Sequence, residues 1–130
     1  MTRKILAVDD ENDVLLVIKT ALQSEGFDVA TAATGPEALH KIGEDKPDLV
    51  ILDVMMPGMT GFEVLEKMRA DPNSALIPVI MLTGLSERSK IRDAIASGAE
   101  YYIVKPFEFH DLLSKVNLAL NPPVADQFSI

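Results

Sequence analysis

Asp53 ends the apolar run Leu49-Val50-Ile51-Leu52, and three other chemically capable positions end runs of the same kind. The acid pair Asp9-Asp10 follows Ile5-Leu6-Ala7-Val8, Thr83 follows Val79-Ile80-Met81-Leu82, and Lys105 follows Tyr101-Tyr102-Ile103-Val104. Carboxylates can hold a hard cation or attack an electrophile, while an ammonium and a hydroxyl can meet anionic oxygens. If the runs are parallel strands, their carboxyl ends share one sheet edge and the four positions meet in one crevice.

Three converging carboxylates repel one another. At about 4 Å and an effective dielectric near 20, each pair costs about 4 kcal/mol, so three pairs approach the ~5–15 kcal/mol that holds a domain together. Asp9, Asp10 and Asp53 therefore need a cation or a proton. Mg²⁺ takes oxygen ligands at about 2.0–2.1 Å and usually keeps waters and a phosphate oxygen beside one or two carboxylates. Asp53 then has two roles open to it, ligand and nucleophile, since a carboxylate oxygen attacking phosphorus gives an acyl phosphate. Phosphoryl transfer relies on positioning and charge neutralisation, which Lys105, Thr83 and a divalent ion can supply.

The elements that must position these residues are legible as strand-like runs at 4–9, 28–33, 48–53, 77–82 and 101–105. They alternate with helix-like segments near 12–25, 35–45, 61–71, 86–97 and 108–120. Five βα units predict an α/β domain, a parallel sheet covered by helices on both faces. In the first helix Val14, Val17, Ile18, Ala21 and Leu22 fall at the spacing of one buried face. Thr34 and Thr60 each precede a Glu by three residues, a pattern that satisfies helix-start N–H groups reciprocally. Gly26 and Gly98 stand where helices should stop. The weakly apolar run Asp28-Val29-Ala30-Thr31-Ala32 is placed at an edge, whereas the runs ending at Val8, Leu52 and Leu82 read as strands buried on both faces. Pro78 conflicts with a strand starting at 77 unless its missing N–H is not needed.

Composition narrows the function classes. A chain of 130 residues is one domain's worth, burying roughly two-thirds of its unfolded surface. Twenty acidic against 12 basic residues give a net charge of −8, which opposes sequence-independent attraction to nucleic-acid phosphates or anionic membranes. The absence of cysteine excludes disulfides, thiolate metal sites and cysteine nucleophiles, and fits a cytoplasmic protein. Met1-Thr2-Arg3-Lys4 runs straight into an apolar strand without a signal peptide's longer apolar stretch, so neither export nor a membrane span is expected.

Taken singly, each site residue has an ordinary explanation. Asp10 before Glu11-Asn12 suits a helix N-terminus, Thr83 a turn cap, Lys105 an exposed surface beside a proline, and Asp53 the start of a turn toward Pro57-Gly58. Their coincidence at four strand ends is what favours a site. From physics alone Tyr102 is a β-favouring, space-filling aromatic. His40 and His110 lack acid or cysteine partners at ligand spacing, and Met55, Met56 and Met59 are assigned no side-chain chemistry.

In combination, Val8-Asp9-Asp10, the stretch Leu52-Asp53-Val54-Met55-Met56-Pro57-Gly58-Met59-Thr60-Gly61, Met81-Leu82-Thr83-Gly84, and Tyr102-Ile103-Val104-Lys105-Pro106-Phe107 resemble a response-regulator receiver domain of two-component signalling. The resemblance covers residues 3–120; residues 1–120 are read as the receiver and 121–130 as a tail or the start of a linker. It implies a CheY-like, doubly wound parallel sheet of flavodoxin-like strand order 2-1-3-4-5, the order carried by the family's chemotaxis member. It implies that Asp53 accepts a phosphoryl group from a histidine kinase's phosphohistidine or a small phosphodonor. Asp10, Asp53 and the backbone carbonyl of Met55 would hold Mg²⁺, or Mn²⁺ in its place, with Asp9 helping through water. Thr83 and Lys105 would contact the phosphoryl oxygens. Thr83 would then move inward and Tyr102 rotate into the space left, remodelling the surface of the fourth helix, fifth strand and fifth helix that a downstream effector reads. Lys105-Pro106 would be a cis peptide. Met55 and Leu85, two residues beyond Asp53 and Thr83, are apolar where the family varies, which predicts slow self-hydrolysis.

Three alternatives remain. A haloacid-dehalogenase-like aspartyl-phosphate hydrolase uses similar parts but places an acid two residues after its nucleophile, where this chain has Met55. A flavodoxin-like cofactor binder calls for a Gly-rich phosphate loop after the first strand, where Asp9-Asp10-Glu11 stands instead. A receiver-shaped interaction module would act without phosphorylation. The expected partners are a histidine kinase or phosphotransfer protein and an unidentified effector, with no direct nucleic acid and no membrane. Partner choice is placed on the first helix and on Arg88, Lys90, Arg92, Asp93, Glu100, Asp111 and Lys115, a face that also suits a phosphorylation-favoured homodimer. The chain's end, ten residues past the last helix, favours a stand-alone or excised receiver.

Overall fold

The computed structural model describes residues 2–84, 92–93 and 96–122. The apolar runs become β1 (Lys4–Val8), β2 (Asp28–Ala32), β3 (Leu49–Asp53), β4 (Val79–Gly84) and β5 (Tyr101–Lys105). Between and after them lie α1 (Asn12–Ser24), α2 (Gly35–Glu44), α3 (Gly61–Ala70) and a C-terminal helix (Phe109–Leu120). The greater part of the expected helix at 86–97, with Leu85, Arg88 and Lys90, lies outside the described residues.

Every strand pairing is parallel, and the sheet order is β2-β1-β3-β4-β5. β3 at the centre is buried along its whole length, as a strand covered on both faces must be. Side chains alternate between the two faces. Leu6, Val8, Val50, Leu52, Val79 and Met81 pack with Ala38 and Ile42 of α2 and Val64, Leu65 and Met68 of α3. Ile5, Ala7, Leu49, Ile51, Ile80 and Leu82 pack with Leu15, Ile18 and Leu22 of α1 and Leu112 and Val116 of the C-terminal helix. β2 is an edge strand, as its weak apolar pattern predicts. Among the described residues no helix is long and apolar enough to cross a membrane.

Three local expectations are corrected. The fourth strand runs Val79–Gly84 rather than 77–82, so Pro78 stands outside it and only its carbonyl takes part, accepting from Val50 N at 3.1 Å. In α1 the buried stripe is Leu15, Ile18 and Leu22, while Val17 is 59% exposed. Five consecutive apolar residues, Val14 to Ile18, cover more than one helix face, so periodicity alone could not choose the stripe. At Thr60 the reciprocal cap forms, with Thr60 N donating to Glu63 Oε1 at 3.1 Å and Glu63 N to Thr60 Oγ1 at 3.3 Å. At Thr34 only half of it forms, because Glu37 Oε1 reaches one residue further to accept from Ala33 N at 2.8 Å.

Candidate phosphoacceptor and metal site

Alternation decides which strand-end side chains meet. Asp9, Asp53 and Lys105 continue the parity of Ile5 and Ala7, of Leu49 and Ile51, and of Tyr101 and Ile103, all on the α1 face. Lys105 Nζ lies 2.7 Å from Asp9 Oδ2, 3.3 Å from Asp53 Oδ1 and 3.6 Å from Glu11 Oε1. Carboxylate oxygens of Asp9, Asp10 and Asp53 all lie within 4.8 Å of one another. Asp9 and Asp53 are buried, whereas Asp10 is exposed at the rim. Asp9 Oδ1 also accepts from Glu11 N at 2.9 Å, which ties the acid pair to the start of α1.

The loop after β3 folds back closely over its end. Val54 N donates to Leu82 O at 3.0 Å, and Gly61 N donates to Val54 O at 2.8 Å. A Cβ at Gly61 would stand 2.2 Å from the Asp53 carbonyl oxygen, so only glycine lets α3 begin here. Sequence reasoning gave Gly61 no such duty; its signal was a glycine at the first position of a capped helix. Glu11, as third partner of Lys105, was likewise missed, and its signal was adjacency to the acid pair.

The remaining expected site residues are placed as follows. Thr83 is fully buried, one residue past Leu82, the register partner of Asp53, and its Oγ1 has no hydrogen-bond partner among the described residues. Tyr102 of β5 pairs in register with Met81 of β4 and is 38% exposed. Met55, two residues past Asp53, is 47% exposed, and Lys105-Pro106 is a cis peptide. His40 does have an acid neighbour, Glu44 Oε1 at 3.2 Å, on the exposed surface of α2. Glu100, expected on a partner-facing surface, is engaged internally, accepting from Arg69 Nη2 at 2.9 Å and Val79 N at 2.8 Å.

Electrostatics mark this corner as charged beyond its means. Burial, then repulsion from Asp9, pushes Asp53 up to about 7, against the pull of Lys105. Burial also raises Asp9, although Lys105 and the Glu11 N–H oppose it. Lys105 is held above the ordinary lysine value: burial works to lower it, but the contact with Asp9 and the charges of Asp53 and Asp9 outweigh burial. One ammonium cannot neutralise three clustered carboxylates. Hard oxygen donors in this number, partly open to solvent at Asp10, fit a hard divalent cation better than thiophilic metals.

A family model, the response regulator receiver domain, matches residues 5–117. The chain belongs to the response-regulator receiver family. The receiver is 39% identical over 120 residues to the phosphate regulon transcriptional regulatory protein PhoB of Rhizobium meliloti, covering 92% of this chain and 53% of that protein. It is 38% identical to the DNA-binding response regulator MtrA of Mycobacterium tuberculosis, covering 92% of this chain and 51% of MtrA. The chain thus spans about half the length of these curated relatives. Among solved structures, the chemotaxis response regulator CheY4 of Vibrio cholerae superposes with a TM-score of 0.86 at 38% identity, covering 92% of this receiver and 100% of CheY4.

Proposed function

We propose that this receiver is a phosphorylation switch in which Asp53 takes a phosphoryl group from a protein phosphohistidine. The observation that carries the reading is the shared contact of Lys105 Nζ with Asp9 and Asp53 beside a third acid, Asp10. Asp10, Asp53 and the Met55 backbone carbonyl would hold Mg²⁺ or Mn²⁺, with Asp9 assisting. A bound cation would supply positive charge to the phosphoryl oxygens during transfer.

The chain's own groups do the rest. Asp53 offers the attacking carboxylate oxygen; Lys105, released from part of its contact with Asp53, follows the new negative charge onto the phosphoryl oxygens. Thr83, whose hydroxyl is buried without a hydrogen-bond partner among the described residues, donates to the same oxygens and moves toward them. Tyr102, exposed on the edge strand, rotates into the space left, and the altered face is read by an effector or by a second copy. Such a switch biases a two-state element through added charge and acceptor oxygens. The kinase or phosphotransfer partner, the effector and a cytoplasmic setting belong to this same proposal.

Met55 argues against a hydrolase, because a thioether cannot serve as the acid or base needed two residues from the nucleophile. It also implies slow loss of the phosphoryl group, with a half-life well beyond seconds for the Mg²⁺-bound phosphoprotein; decay within seconds would refute that. The direct test is intact mass after incubation with Mg²⁺ and acetyl phosphate. One added phosphoryl group on wild type, absent from Asp53→Asn and abolished by chelator, is expected. A folded wild-type protein that neither gains mass nor releases phosphate would overturn the proposal in favour of an interaction module working without phosphorylation.

A further inference from the structure

Glu11 stands immediately before α1, yet its carboxylate makes no capping hydrogen bond to that helix. It turns instead toward Lys105, with 3.6 Å between Oε1 and Nζ. Of the three acids around this ammonium, Glu11 is the most distant and the most open, its side chain 64% exposed against 0% for Asp9 and 5% for Asp53. Lys105 therefore has two nearer, buried partners without it. Glu11 also lines a cavity of about 530 Å³ between the start of α1 and the turn after β5, shared with Lys105, Val14 and Phe107. The other acid on that wall, Asp13, adds negative charge to the same cavity.

Resting on the reading of Asp53 as acceptor, we infer that Glu11 sets phosphodonor selectivity. Its carboxylate at the mouth of the site disfavours small dianionic acyl phosphates relative to donors whose leaving group carries positive charge. In each transfer an Asp53 carboxylate oxygen forms the new bond to phosphorus. With acetyl phosphate the P–O bond breaks and acetate departs with the electron pair. With a phosphohistidine protonated on its other ring nitrogen, the P–N bond breaks and the imidazole leaves neutral, keeping the pair. Phosphoramidate behaves likewise: its –NH₃⁺ group leaves as ammonia. Glu11 repels both charges of the first donor, but attracts the cationic group that accompanies the phosphoryl group in the others.

The test compares wild type, Glu11→Gln and Glu25→Gln by intact-mass time courses in Mg²⁺ with acetyl phosphate and with phosphoramidate, at low and high salt. Glu25→Gln removes the same charge at the other end of α1. Glu11→Gln is expected to speed acetyl phosphate about three- to tenfold while changing phosphoramidate by less than about twofold. The difference should shrink at high salt, and Glu25→Gln should match wild type. An equal change with both donors, no change, or the same effect from Glu25→Gln would overturn the inference. So would an altered Mg²⁺ affinity of Glu11→Gln by calorimetry, since Glu11 would then act through the cation. If neither donor modifies wild type, the acceptor reading of Asp53 fails first and takes this inference with it.

Discussion

Asp53→Asn removes the charge that the fold is least able to solvate, while keeping the size of the side chain. The Asp53 carboxyl is raised from 3.8 to about 7, chiefly by burial and next by Asp9. At about 1.4 kcal/mol per unit, a shift of roughly 3 units sets a ceiling near 4 kcal/mol for holding Asp53 ionised in the metal-free protein. Relaxation of the cluster reduces this, so the variant should be more stable by about 2–4 kcal/mol at pH 8 in chelator, or roughly 10 °C in Tm. The sign follows from linkage. A folded-state value above the unfolded one gives stability that is complete below the unfolded value and lost as pH rises through about 7. The advantage of Asp53→Asn should therefore be only about 1 kcal/mol near pH 4.5, grow to pH 7 and level off above it. Urea denaturation of both proteins in EDTA at pH 4.5, 6 and 8 measures this, and the acids remote from Asp53 cancel in the difference. Millimolar Mg²⁺ should then stabilise wild type more than the variant, narrowing the gap. Equal stabilities at pH 8 in EDTA, or a gap independent of pH, would refute the argument that burial and Asp9 raise Asp53.

Substitutions at three other positions probe the frame of the site. Gly61→Ala should destabilise by about 1–3 kcal/mol in urea and slow phosphorylation, because the new Cβ meets the Asp53 carbonyl oxygen at 2.2 Å. Arg69→Ala should cost about 2–3 kcal/mol in the same assay, since its guanidinium donates to the carbonyls of Ala75, Ile77 and Gly98 and to Glu100. Arg69→Lys should not restore it, as a single ammonium cannot span that fork. Thr60→Ala should cost about 1 kcal/mol through the lost cap of α3, with phosphorylation by acetyl phosphate changed little.

The order of strands and helices was open to reading because each strand is a short apolar run closed by a chemically distinct residue. The acids, hydroxyl and amine at those ends pointed to one sheet edge as the candidate site. The helix start at Thr60 and the stop at Gly26, at a φ of 92°, were equally local decisions. What composition and periodicity could not settle was rotation and contact. Leu15 rather than Val17 turns inward because the sheet and the C-terminal helix select one stripe from an almost continuous apolar segment.

The same limit applies to charge. That Asp9, Asp10, Asp53 and Lys105 belong together was determined by the sequence, through their positions at strand ends. That Lys105 bridges Asp9 and Asp53, that Glu11 joins it from the rim, and that Glu100 accepts from Arg69 and Val79 were decided only in three dimensions. The physical reason is distance: electrostatic and hydrogen-bond energies change over ångströms, whereas sequence spacing specifies only which strand end a residue occupies.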